Sequence, residues 1–139
     1  MIDPREIEHQ KQPCSKSCFT ACIAMLTGVP VMDVIEESKG FGHTLPLNEN
    51  QGMAMLVKYD ILPVRKNNMI GDALEVDRAH LVTVLNEDNG MHCVIVVPRG
   101  DRFDVFDPNE KYQRNNIEKY FEKAVYIESL YDCSGGIAV

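Results

Sequence analysis

The residues best suited to chemistry in this sequence are its five cysteines and four histidines. Cys14, Cys18 and Cys22 recur every fourth residue. That spacing is compatible with a thiolate set for zinc or an iron–sulfur cluster. Thiols four residues apart on a helix form a line along one face, however, and a line does not enclose a metal tetrahedrally. No metal site and no organic cofactor is therefore expected. Cys22, on an apolar stripe with Ala21 and Met25, reads as a small core hydrophobe. Cys18 differs, because it falls in the first turn of a predicted helix, after Ser15, Lys16 and Ser17. Unpaired backbone N–H groups and the helix macrodipole favour a thiolate there. The same N–H groups can hold a developing oxyanion. The side-chain amide of Gln12, six residues upstream, can supply a second donor. Cys14, Cys93 and Cys133 receive no assignment.

A nucleophilic thiol needs a base and a group that orients the base. His9, His43, His80 and His92 are the candidates. His92 is the best placed, because it opens a predicted strand just after the Asn89-Gly90 turn. Asp107 ends the following strand. If the two strands form a hairpin, His92 and Asp107 lie at the same end, and the carboxylate can fix the imidazole tautomer. Each residue alone is ordinarily a surface or turn residue. Gln12, Cys18, His92 and Asp107 together form a Cys-His-Asp constellation with an oxyanion donor.

The elements that must position these groups follow from periodicity. Residues 1–16 are polar and read as irregular. Cys18, Ala21, Cys22, Met25 and Leu26 recur at helical spacing, and Gly28 and Pro30 stop the run. Val31, Val34 and Ile35 predict a second helix ending near Gly40, followed by a loop to Pro46. Asn48 is placed to cap a third helix through Met53, Leu56 and Val57. Strands are predicted at Ile61–Val64, Leu81–Leu85, Met91–Val97, Phe103–Phe106 and Lys123–Glu128. Turns fall at Asn86–Gly90, Pro98–Asp101 and Asp107–Asn109, and a helical turn at Ile117–Phe121. Helices first and an antiparallel meander second predict an α+β fold. The 139 residues fit one domain, with 1–16 and 132–139 irregular.

Lys and Arg number 14 and Asp and Glu 21, a net charge of −7, which disfavours a nucleic-acid partner. Hydrophobic residues are 45% and charged residues 25%, as in an ordinary folded globule. No apolar run is long enough to span a bilayer, and the charged N-terminus does not read as a signal peptide. An odd number of cysteines in such a chain points to reduced thiols and a cytoplasmic location.

The segment Gln12-Pro-Cys-Ser-Lys-Ser-Cys18-Phe-Thr-Ala-Cys22-Ile-Ala-Met25 resembles the active-site helix of papain-like cysteine peptidases. It is closest to the double-glycine peptidases that process bacteriocin leaders. His92-Cys-Val-Ile-Val-Val97 and Val105-Phe-Asp107-Pro108 resemble that family's His strand and Asp-Pro. The resemblance spans nearly the whole chain, in the family's order of Gln, Cys, His and Asp. It implies a papain-like fold with N-terminal helices on an antiparallel sheet. It also implies Cys18 as nucleophile, His92 as general base and acid, Asp107 as orienting group and Gln12 as oxyanion donor. Two positions depart from the family's pattern. Phe19 stands where Gly usually follows the Cys, and Cys93 stands where an aromatic often follows the His. With no ATP-binding or membrane segment in these residues, the exporter role of some relatives is not expected to carry over.

The expected function is that of a small stand-alone cysteine peptidase hydrolysing a peptide or isopeptide bond in a protein or peptide substrate. The same groups would serve a deamidase or transamidase acting on protein Gln, since water or an amine can resolve the same acyl-enzyme. An inhibitor or binding module that keeps the scaffold is the alternative of another class. Acidic stretches at Asp33–Glu37 and Glu75–Asp77 read as solvated faces. Met53, Met55 and Met69 read as core filler, and His43 as a loop residue. Cys133-Ser-Gly-Gly136 contains a Gly-Gly pair, a weak self-trimming site that reads first as a frayed end.

Overall fold

The computed structural model describes residues 1–38, 48–66, 74–85, 90–109, 113–114 and 117–133. Three helices come first: α1 (Cys18–Thr27), α2 (Val31–Glu37) and α3 (Glu49–Lys58). The strands are β1 (Ile61–Arg65), β2 (His80–Leu85), β3 (Met91–Arg99), β4 (Arg102–Phe106), β5 (Gln113–Arg114) and β6 (Ala124–Asp132), with a short α4 (Glu118–Phe121) between the last two.

Helix α1 ends as its sequence dictates. Gly28 takes the left-handed conformation at φ +75° and donates its N–H to the Ala24 carbonyl. A Cβ is disfavoured in that conformation. Helix α3 starts with a reciprocal box: Asn48 Oδ1 accepts from the Gln51 N–H, and Gln51 Oε1 accepts from the Asn48 N–H.

All strand pairs are antiparallel, in the order β1-β6-β2-β3-β4-β5. Strands β2 to β5 form a meander, but β6 inserts between β1 and β2. The simple meander expected from the sequence is corrected on this point. The strand limits differ too, most of all in β3 and β6, and β5 has no counterpart in the expectation. β3 continues through Pro98 and Arg99. In the β3–β4 hairpin the Pro98 nitrogen points away from β4, toward the side where β2 has already ended at the His80–Val96 pair. The missing N–H therefore costs no ladder bond. β6 runs on past Glu128, because that buried carboxylate meets Arg65 of β1 at 2.8 Å, in register with it. β5 is too short for a periodicity signal.

One face of the sheet packs on α1, α2 and α3 through Ile61, Leu81, Cys93, Ile95, Val97, Phe106 and Leu130. The other face carries Val82, Val84, Val94, Val96, Val105 and Ile127, covered in part by Tyr120 of α4. Helices on one side of an antiparallel sheet make the fold α+β, as expected. No single helix among the described residues is long and apolar enough to cross a membrane.

Residues 1–16 form one 3-10 turn, Pro4–Glu6, and are otherwise irregular. They are nevertheless pinned along their length. The Ile2 N–H donates to the Leu26 carbonyl at 2.8 Å. The Gln10 side chain bridges the Val29 carbonyl and the Val31 N–H. The Gln12 N–H reaches the Pro108 carbonyl at 2.8 Å. This strap carries Gln12 to the end of β4.

Candidate active site

Strand β4 leaves the sheet after Phe106, whose partner is Ile95. Among the described residues, the stretch of β3 from Met91 to Val94 has no strand on that side. The N-terminal half of α1 fills the notch. There the Cys22 thiol donates to the Cys93 carbonyl at 3.4 Å, using an acceptor that β4 has left open. Cys22 is fully buried, as its place on the apolar stripe predicts. Among the described residues, no three His, Cys, Asp or Glu side chains converge as a metal-binding group.

Cys18 is the first residue of α1. Ser17 precedes it but does not cap the helix. Its hydroxyl turns back and donates to the Cys14 carbonyl at 2.9 Å, while accepting from the Cys14 N–H. The polar loop before the helix is thereby braced, and the Ser17 oxygen stays off the first-turn N–H groups. Phe19 lies buried against α3, with its ring over Gly52. A Cβ at position 52 would stand 2.4 Å from that ring. The bulky residue after Cys18 is therefore accommodated by a glycine on the neighbouring helix.

His92 and Asp107 meet as the hairpin argument expects. His92 Nε2 lies 2.7 Å from Asp107 Oδ1, which leaves Nδ1 as the nitrogen for a second partner. Asp107 is 3% exposed and every oxygen is used. Oδ1 also accepts from the Asn109 N–H at 2.8 Å, and Oδ2 accepts from the Tyr120 hydroxyl at 2.7 Å. The Asp107 backbone carbonyl contacts His9 Nε2 at 2.6 Å. The Cys18 sulfur lies close enough to the His92 imidazole and the Cys93 thiol for each to shift the others' titration.

Gln12 is buried. Its Nε2 donates to the Cys14 carbonyl at 2.7 Å, while Oε1 has no protein partner. One amide hydrogen is thus anchored, and the other is free to serve an oxyanion. All four residues singled out in the sequence lie on or beside the notch. Of the other histidines, His9 braces the backbone of Asp107. His80 lies in β2, fully buried, with Nδ1 at 2.9 Å from Ser129 Oγ, outside this group. His43, Met69, the Gly-Gly tail and most of the Asn86–Gly90 turn fall outside the described residues.

The electrostatics follow from these contacts. The Cys93 thiol donates toward Cys18, burial opposes, and His92 adds a second favourable hydrogen bond, so the Cys18 thiol is pushed down to about 4. Burial works against an imidazolium at His92, but Asp107 and the Cys18 thiolate outweigh it and raise it to about 9. Asp107 is held below its usual range: burial is overcome by His92, Tyr120 and the Asn109 N–H. Cys93, as donor to a thiolate and buried, is pushed well up. A thiolate–imidazolium pair is therefore the favoured state of Cys18 and His92 between those limits. Sequence reasoning missed Tyr120 and left Cys93 without a role. Tyr120 sits in a single helical turn with no motif to connect it to Asp107.

No family model matches the chain, and no curated protein matches it. Solved structures do resemble it. The peptidase domain of Streptococcus ComA, a bifunctional ABC transporter involved in quorum sensing, matches with a TM-score of 0.69 at 13% identity. That match covers 91% of this chain and 99% of the other. A double-glycine-motif protease from an AMS/PCAT transporter, in complex with its leader peptide, matches with a TM-score of 0.68 at 13% identity. It covers 91% of this chain and 92% of the other. This chain has the papain-like peptidase fold of those domains.

Proposed function

We propose that this chain is a cysteine peptidase whose nucleophile is Cys18. The observation that carries the reading is the 2.7 Å contact of His92 with the buried Asp107, beside a Cys18 thiol whose titration its neighbours lower. The fold shared with peptidase domains agrees with it.

The proposed chemistry runs in two halves. The Cys18 thiolate attacks the carbonyl carbon of a peptide bond. The oxyanion that forms accepts hydrogen bonds from the free N–H of the Gln12 amide and from the backbone N–H of Cys18. The His92 imidazolium gives its Nδ1 proton to the leaving nitrogen, the C–N bond breaks, and an amine departs. A thioester to Cys18 remains. Neutral His92 then takes a proton from water as the water oxygen attacks the thioester. The C–S bond breaks, and the thiolate and imidazolium are restored with release of a carboxylic acid. Asp107 keeps Nδ1 toward the sulfur by holding Nε2.

The substrate class that fits is a protein or peptide. An extended segment ending in a Gly-Gly pair, as in the leader peptides of double-glycine proteases, is the first to try. The five cysteines are all free thiols, which fits a reducing, cytoplasmic setting. The whole of 1–139 serves as a single domain in this reading.

Iodoacetamide labelling of the intact protein at pH 6 tests it, with the modified residue located by mass spectrometry. Cys18 is expected to react far faster than the other thiols, and Cys18→Ala to remove that reaction while the protein stays folded. Preferential labelling of Cys14 or Cys93 instead would overturn the assignment.

A further inference from the structure

We propose that Tyr120 is a positioning residue of this site: its hydroxyl holds the outer oxygen of Asp107 so that the inner oxygen faces His92. This rests on the peptidase reading above and adds a fourth member to its chain of contacts.

The geometry is specific. Tyr120 is 4% exposed and Asp107 3%. Their oxygens are 2.7 Å apart, the separation of a strong O–H···O⁻ bond. A carboxylate on a single bond can rotate about χ2. With only His92 and the Asn109 N–H on Oδ1, the position of Oδ2 would be set by packing alone. The phenol fixes it from the opposite side of the residue. Tyr120 is delivered by α4, between β5 and β6, so the contact ties a separate element to the end of β4.

Asp107 sees His92 of β3, the Asn109 N–H, the Tyr120 hydroxyl, and His9 of the N-terminal strap at its backbone carbonyl. Through His92 it acts on Cys18 of α1, and its charge also reaches the buried Cys22. On the α4 side, Lys119 Nζ lies 5.0 Å above the Tyr120 ring. The phenol O–H touches Asp107 and can be removed without changing net charge or shape.

A buried tyrosine usually finds some partner for its hydroxyl. The competing account is that Asp107 merely satisfies Tyr120. The two accounts differ in what happens to Cys18. If Tyr120 positions the carboxylate, its loss weakens the hold on the imidazolium, and the thiolate then needs a higher pH to form. If the contact only satisfies the tyrosine, stability falls and the thiolate is unaffected.

The experiment is the pH dependence of iodoacetamide alkylation at Cys18 in the full chain, for wild type and Tyr120→Phe. Wild type is expected to lose half its reactivity near pH 4. Tyr120→Phe is expected to lose it about one pH unit higher, so alkylation near pH 4 falls several-fold while the rate at pH 8 is nearly unchanged. An unshifted acid limb would overturn the proposal, whatever the melting temperature. Should the variant unfold in acid, nitrogen NMR of the His92 ring reads the same coupling at neutral and alkaline pH. Its midpoint falls below about 9 if Tyr120 acts through Asp107, and stays there if it does not. In the Asp107→Asn background, Tyr120→Phe should have no further effect on the limb, and a full shift there would also refute it. The labelling of Cys18→Ala separates the two levels. If that variant keeps the fast reaction, the peptidase reading itself fails. If it loses the reaction and Tyr120→Phe shows no shift, only the role of Tyr120 fails.

Discussion

Asp107→Asn removes one charge from the site and little else. Oδ1 would still accept from His92 Nε2 and from the Asn109 N–H, so the new Nδ2 would face Tyr120. The phenol oxygen can accept from it after its proton turns away. The lost quantity is the attraction between the carboxylate and the imidazolium. With charge centres about 4 Å apart and an effective dielectric of about 20, that attraction is roughly 4 kcal/mol. At 1.36 kcal/mol per pH unit this corresponds to about three units. The retained neutral hydrogen bond offsets part of it. The His92 midpoint should therefore fall from about 9 to about 7, near an ordinary histidine. Nitrogen-detected NMR of the ring across pH 5 to 10 measures the midpoint without any substrate. In a peptide-cleavage assay the alkaline limb should retreat by the same amount. A midpoint that stays near 9 in the variant would show that Asp107 is not what charges the imidazole. A wild-type midpoint near 6.5 would refute the ion pair itself.

Two further outcomes probe the fold around the site. His80 is fully buried, and burial pushes it down to about 4 although the Glu75 carbonyl lies close. Its neutral form stabilises the fold fully above the unfolded value near 6.5, and that contribution is lost as pH falls toward about 4. Chemical denaturation at pH 7 and pH 4.5 should show a loss of roughly 2–3 kcal/mol from this group. His80→Gln, which never charges, should lose correspondingly less, and equal pH dependence in both proteins would sink the argument. Gly52→Ala pits two effects against each other. Helix propensity alone predicts a gain of about 1 kcal/mol. The new Cβ, 2.4 Å from the Phe19 ring, should instead cost about 1–3 kcal/mol of overpacking. The net expectation is a lower melting temperature in a thermal scan, and a rise would mean that the Phe19 ring swings aside freely.

The helices were readable because each carried a period together with a start or a stop. Gly28 and Pro30 end α1 where the apolar stripe ends, and Asn48 with Gln51 opens α3. The central strands were readable because β2 and β3 are buried on both faces, which leaves near-continuous branched apolar runs. Strand order was not readable. The insertion of β6 depends on which edge of β2 is open, and nothing local encodes that. Glu128 hid the second half of β6, because a charge ends an apolar run unless its partner, here Arg65, is known. Cys18, His92 and Asp107 could be placed as candidates because helix start, strand start and strand end are local features. Tyr120 and Cys93 could not. One acts across the far face of the sheet, and the other belongs to the site only because β4 departs after Phe106 and lets α1 approach.

The strap and the notch together have a consequence for when the sulfur becomes reactive. In an unfolded chain Cys18 is an ordinary thiol, only about 3% ionised at pH 7. The groups that ionise it lie on strands and a helical turn that follow it by most of the sequence, from His92 and Cys93 to Asp107 and Tyr120. A chain emerging from its N-terminus exposes Cys18 early, while those partners are not yet made. The nascent thiol is therefore an ordinary one, and its titration falls only once β3, β4 and α4 have closed around it. The same holds in reverse. Any local opening that frees residues 9–12 from Asp107 and Pro108 loosens the group that charges His92, so loss of structure here also returns the thiol toward its ordinary titration.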